Sequence, residues 1–198
     1  MMPRLRTDPE LIIPDDILIA EYEYIANTAH DANEDRSRVA SFYFVSVGSI
    51  VAAILSTQFA KDNLKSVSVA FSILFLVLTL LGTLTIAQLA RLRAAWHESI
   101  EAMNQIKDFY IQKFPDTEPA FKWRIMTIPP TDKPYSIANL IALEVALLGA
   151  LTTAAAFYFI LFALGEVTWL SWVIITISFA VGAAFQWWCY KRLLVDDR

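Results

Sequence analysis

With one cysteine, five glycines and two histidines among 198 residues, the chain has little material for several kinds of chemistry. Cys189, alone, can form neither an intramolecular disulfide nor a CxxC metal or redox site. So few glycines leave little for a phosphate-cradling loop, and no Ser-His-Asp order or zinc-protease motif is present. Charge is scarce as well. Charged residues make up 18% of the chain, against about 25% in soluble domains. The net charge is -4 with no Lys/Arg cluster, which excludes the basic stripe that nucleic acid requires. The opening "MMPRLRTDPELIIPDD" lacks the apolar core of a cleavable signal, so the amino terminus is expected to stay on the side of synthesis. No enzymatic activity, cofactor or nucleic-acid partner is predicted.

What the chain has in abundance is apolar sequence. Hydrophobic residues reach 57%, above the roughly 45–50% of soluble domains. A ~30 Å hydrocarbon layer needs about 20 consecutive apolar residues in a helix. Four such runs occur, Val39 to Phe59, Val67 to Ala90, Ile137 to Leu164 and Trp169 to Tyr190, with Glu144 the one formal charge inside them. Soluble helices carry a polar stripe, whereas these runs are apolar nearly all round. The lipid bilayer is therefore the first expected partner.

The basic residues predict the orientation. Four Lys/Arg precede Val39, seven lie between Arg91 and Lys133, and three follow Tyr190; these fourteen face two, Lys61 and Lys65, on the other side. By the positive-inside rule both termini and the central segment are cytoplasmic, with external turns at "AKDNLK" and "LGEVT". Expected anchors at the inner interface are Arg36, Arg38, Arg91, Arg93, Lys133, Trp187, Trp188, Tyr190, Lys191 and Arg192, with Trp169 and Trp172 at the outer one. A bacterial or other energy-transducing inner membrane is the expected location.

Outside the spans, Pro14, Asp15 and Asp16 suit a helix start. Leu18, Tyr22, Ile25, Ala29, Ala32 and Arg36 then recur at spacings of 4, 3, 4, 3 and 4, a coiled-coil-like seam. A looser stripe, Leu89, Leu92, Trp96, Ile100, Met103, Ile106 and Tyr110, follows the second span before Pro115 stops it. Residues 15–38 and 91–114 are equally long, so each extends about 36 Å at 1.5 Å per residue.

The predicted fold is an all-α integral membrane protein with four transmembrane helices, both termini inside. Its first two helices extend into a cytoplasmic antiparallel hairpin, or stalk. The segments are an arm (1–14), stalk helix (15–38), first pair of spans (39–90), stalk helix (91–114), proline-rich return (115–136), second pair of spans (137–190) and tail (191–198). Within the return, a short helix is expected to begin at Thr117 with Pro119 in its first turn. Phe121 and Trp123, interleaved with Lys122 and Arg124, suit either the headgroup region or the stalk surface.

Three sets of residues are candidates for chemistry. His30 with Glu34, and His97 with Glu101, share helix faces at spacing 4. Their composition resembles carboxylate-bridged metal centres of helical bundles. The Glu-x-x-His arrangement of those centres is missing, and solvated surface charge explains them better. Glu144 lies seven residues into the third span, about 10 Å deep. There it serves as a hydrogen-bonded structural carboxyl or as an ion-handling group, the latter predicting that Glu144→Gln abolishes transport and spares assembly. Gln186 and Gln88 are expected at the inner ends of their spans.

The third set comprises stripes of small and hydroxylated residues: Ser68, Ser72, Thr79 and Thr83; Ala138, Ala142, Gly149, Thr153 and Ala156; Ser171, Ser178, Gly182 and Gln186. They favour close helix packing over a wet pathway. Cys189 is read as a passive apolar residue rather than an acylation site.

From Asp15 to about Phe114, the order of acidic helix, span, short external loop, span and returning cytoplasmic helix resembles the SLATT-type membrane effectors of bacterial nucleotide-signalled defence systems. That resemblance is architectural and implies pore formation; the second pair of spans departs from it. Two roles follow as expectations. In one, a homo-oligomer forms a regulated pore or effector whose stalk senses a cytoplasmic signal. In the other, the chain is a scaffold or accessory subunit of a larger membrane complex. A stalk metal-binding protein is the distant third.

Overall fold

The computed structural model describes residues 14–56 and 64–195. The predicted arm (1–14) and most of the external turn at "AKDNLK" therefore fall outside the described residues, as do residues 196–198 of the tail. Among those described there is no strand. The elements are α1 (Pro14–Ser56), α2 (Leu64–Lys113), two 3₁₀ turns (Pro115–Ala120 and Ile125–Thr127), α3 (Ile137–Leu164) and α4 (Trp169–Val195). Four helices are thus long and apolar enough to cross a membrane. Both α1 and α2 run unbroken from polar into apolar sequence, because neither junction carries a glycine or proline.

The return segment differs from expectation in detail. Its first turn starts at Pro115 rather than Thr117 and is 3₁₀ rather than α. Pro119 lacks the N–H that an extending helix would need. The start of α3 is fixed by Ser136, whose hydroxyl accepts from the Asn139 N–H at 3.3 Å. At the start of α4, Ser171 Oγ accepts from the Thr168 N–H at 3.2 Å, the returning half of a capping box.

The chain divides into two compact units, Met1–Ala32 with Ala95–Pro129 and Asn33–Ala94 with Pro130–Arg198. In the first, Ile25 and Ala29 of α1 are buried with Met103 of α2, and Tyr22, Ala26, Trp96, Ile100 and Ile106 close around them. These are seam positions, and their burial follows from the 4-3 spacing that keeps them on one side of the helix. Arg124 pairs with Glu118 and, at 3.6 Å, with Asp108. Phe121 joins Leu18, Tyr22, Ile106 and Tyr110 around a groove of about 450 Å³, while Trp123 stays half exposed.

The second unit is a four-helix bundle. Tyr43, Val47, Leu78, Ile86, Leu89, Val145, Ala146 and Tyr190 lie in its core. Small residues set the spacing between helices. A Cβ at Gly182 of α4 would lie 3.2 Å from Thr153 Oγ1 and 3.4 Å from Ala150 Cα of α3, so these backbones approach closely. Large apolar side chains such as Leu80, Leu84, Leu151 and Val181 project outward and are more than half exposed, the reverse of a soluble bundle and the pattern that lipid accepts.

Candidate functional site

A belt of polar side chains crosses the apolar core of the second unit. Thr79 of α2 meets Thr152 of α3 at 3.0 Å and Thr153 at 3.4 Å, hydroxyl to hydroxyl. Both of those threonines donate to the Gly149 carbonyl at 2.8 Å. The Ser72 hydroxyl of α2 donates to the Ala156 carbonyl of α3 at 3.0 Å. At one end of the belt, the Gln186 amide of α4 lies against Gly149, where a Cβ would fall 2.1 Å from Nε2 and 2.5 Å from Oε1. Only a glycine leaves room for this amide.

At the other end, the Tyr43 ring of α1 lies against Gly82 of α2, its Oη 2.5 Å from where a Cβ would be. Its hydroxyl interacts with the Thr152 side chain without reaching hydrogen-bonding geometry. All four helices therefore contribute to one polar layer. Tyr43 and Gln186 are each 1% exposed. The Tyr43 hydroxyl and both amide atoms of Gln186 make no hydrogen bond, although buried polar groups are nearly always satisfied by protein or ordered water.

Next to Gln186, an open groove of about 320 Å³ is lined by Thr79, Thr83, Thr153 and Ser178 together with Phe157 and Phe185. One water occupies about 30 Å³ of liquid, so there is room for several. Thr83 and Ser178 donate to the carbonyls of Thr79 and Ile174, which leaves hydroxyl lone pairs free to accept. The surface that this groove presents is nonetheless almost wholly apolar.

The sequence-predicted residues are not brought together. Glu144 is exposed and lies on an open groove of about 580 Å³ with Phe44, Leu147, Leu148, Leu151 and Phe179. It points outward because the opposite face of α3, with Ala142, Val145, Ala146 and Gly149, is the buried one. Gln88 is also exposed, on a separate groove with Arg38, Phe42, Ser46 and Leu84. Gln186 lies four residues before the end of its apolar run at Tyr190, and its neighbour Gly149 is twelve residues into α3, about 18 Å along the helix axis.

The histidines lie apart from the belt. His30 is exposed, Glu34 is 3.9 Å from Arg38, and His97 Nδ1 is 3.3 Å from Glu101. Among the described residues, no three His, Cys, Asp or Glu side chains come together in a metal-binding group.

The interface residues divide into two kinds. Arg38 and Arg91 are exposed, and Arg38 pairs with Asp35 at 2.9 Å. Lys191 and Arg192 stack over the rings of Trp187 and Trp188, 5.4 Å and 5.2 Å from their centroids. Arg36 and Arg93 are different, being 7% and 6% exposed. Neither extends to water as an anchor would, because both sit on the buried faces of their helices.

Tyr43 and Thr152 are belt members that the sequence reading passed over. The seam spacing continues past Arg36 through Ala40, Tyr43 and Val47 at 4, 3 and 4, and all three are buried. The signal for Tyr43 was thus present, hidden by the change in composition at Val39. Compared with protein-family models, curated proteins and solved structures, the chain matches none, so its role is argued from geometry alone.

Proposed function

We propose that the chain is a non-enzymatic multi-pass protein of the inner cell membrane that assembles with copies of itself into a regulated pore. In this reading both termini are cytoplasmic, and residues 15–38 and 91–114 form the stalk that receives the signal. The distribution of fourteen basic residues against two supports the orientation.

Glu144 carries the case for assembly. It lies about 10 Å into the third span, is exposed on its own chain, and is surrounded by apolar side chains. An ionisable group facing hydrocarbon costs on the order of 2.5 kcal/mol or more at the centre of a helix, and such groups normally face protein or a water-filled space. A neighbouring subunit that covers this groove removes the cost. The polar belt, with its unsatisfied Tyr43 hydroxyl and Gln186 amide, supports a conducting role over a purely structural one.

The second reading is a scaffold or accessory subunit, in which a different chain covers Glu144. Small-residue faces such as Ala142, Ala146 and Gly149 serve either reading. A stalk metal site is the distant third, since Glu34 and Glu101 already engage Arg38 and His97.

Flux from liposomes containing only this chain tests the choice. The pore reading expects ion release by the wild type and none by Glu144→Leu, whose side chain is at ease in lipid and no longer requires a neighbour. Co-purification with other chains in fixed ratio, together with no flux, would favour the scaffold.

A further inference from the structure

Glu144 of α3 and Gln88 of α2 are long polar side chains that stay exposed within the apolar runs of the four-helix bundle. They lie on different faces. Glu144 shares its groove with Phe44 of α1 and Phe179 of α4, whereas Gln88 shares a groove of about 440 Å³ with Phe42, Ser46 and Leu84. Phe44 stands two residues from both Phe42 and Ser46, about 200° round α1 from each at 3.6 residues per turn. Helix α1 therefore separates the two grooves.

The two groups nevertheless share a level. Thr79 meets Thr152 at 3.0 Å, and Ser72 reaches the Ala156 carbonyl at 3.0 Å, so α2 and α3 run antiparallel. Gln88 lies nine residues after Thr79 and Glu144 eight before Thr152, both toward the same end of the bundle. At 1.5 Å per residue they are about 14 Å and 12 Å from that contact. Helical side chains lean toward the helix N-terminus, which in antiparallel helices brings the carboxyl and the amide closer still in height. Arg38, on the same groove as Gln88, turns to Asp35 instead at 2.9 Å.

A carboxyl and a carboxamide are complementary in either state of the acid. The amide NH2 donates to a carboxylate oxygen, and a protonated carboxyl also returns a bond to the amide carbonyl. Within lipid neither group has a partner of its own, and a contact between copies removes both costs at once. A two-fold contact between Glu144 faces would instead set two acids opposite one another and leave Gln88 in lipid. The groove beside Gln186 presents an almost wholly apolar surface and offers the acid little. We propose that Glu144 of one copy hydrogen-bonds Gln88 of the next, with the Glu144 face of the first packed on the α1–α2 groove of the second. Such a contact joins two different faces, so it repeats head to tail; with every copy spanning the membrane in the same sense, it turns about the membrane normal and closes a ring. This mode of contact rests on the assembly reading above.

The test is cross-linking of the full chain in native membranes, with Cys189→Ser as the background. Leu84 and Leu147 line the two grooves, are exposed, and lie five residues from Thr79 and Thr152 toward the same end. Oxidation with copper phenanthroline should join Leu84→Cys/Leu147→Cys chains into a ladder extending beyond the dimer. Leu84→Cys and Leu147→Cys alone should give no cross-link, and the two co-expressed with different tags should give dimers that carry both. A homodimer of Leu147→Cys would overturn the proposal in favour of a two-fold contact. No cross-link in any variant, with the wild type still multimeric by mass, would overturn it while leaving assembly itself standing; a monomeric wild type would overturn both.

The polar pair is tested by exchange. In the double-cysteine background Gln88→Glu sets acid against acid and should lower the cross-linked yield about threefold or more, the loss of an interhelical bond in membranes. Adding Glu144→Gln restores one acid and one amide with their places exchanged, and the yield should recover. A yield unmoved by Gln88→Glu, or not recovered by the exchange, would count against the pairing.

Discussion

Gly82→Ala tests the contact between α1 and α2 in the bundle. The added methyl would lie 2.5 Å from Tyr43 Oη, 2.9 Å from Cζ and 3.4 Å from Cε2. The Tyr43 ring is rigid and 1% exposed, so it cannot swing aside as a flexible side chain would. Overpacking of this kind costs about 1–3 kcal/mol. Replacing a mid-helix glycine by alanine also stabilises the helix, by roughly 0.5–1 kcal/mol. Gly48→Ala isolates that gain, because a Cβ there meets nothing within 4 Å.

The difference between the two variants is therefore the overpacking cost itself. At about 2–4 °C per kcal/mol for a chain of this size, Gly82→Ala should melt roughly 2–12 °C below Gly48→Ala in detergent. Tyr43→Phe removes the nearest atom, and the double variant Tyr43→Phe/Gly82→Ala should recover part of the loss, a coupling of about 0.5–3 kcal/mol. Equal melting of Gly82→Ala and Gly48→Ala, or strict additivity with Tyr43→Phe, would refute the packing described.

The other perturbations separate structure from role. Gln186→Leu removes an amide that makes no hydrogen bond, so melting should hold or rise while liposome flux falls; a loss of stability with flux intact would reverse the assignment. Ser72→Ala deletes the bond to the Ala156 carbonyl and should cost about 0.6 kcal/mol, the usual worth of an interhelical bond in membranes, read as a shift of a degree or two in melting. Ala29→Glu places a charge at a position 5% exposed in the first unit and should expose that unit to proteolysis; a digestion pattern like the wild type would contradict its packing.

Apolar runs and seam spacing made the helices legible. The third run, Ile137 to Leu164, coincides with α3 because Ser136 caps one end. The fourth run stops at Tyr190 in composition, but α4 continues to Val195 through Lys191 and Arg192, whose side chains stack on tryptophans. The close approach of Gly182 to Thr153 and Ala150 goes with the offset of α3 and α4 that places Gln186 against Gly149. Relative offset is a property of packing and leaves no mark on either helix read alone. The burial of Arg36 was written in its seam position, yet the expectation that arginine reaches water at a membrane edge masked it. Glu144 was visible as an anomaly, and its outward direction follows from the small-residue face opposite.

The central claim is that copies of this chain assemble with one another over the Glu144 face. The most direct measurement is the mass of the assembly released from native membranes into a mass spectrometer without detergent exchange. The account predicts a whole multiple of 22.4 kDa with no other chain, reduced to a single copy by Glu144→Leu. A wild-type monomer, or one copy bound to different chains in fixed ratio, would contradict it.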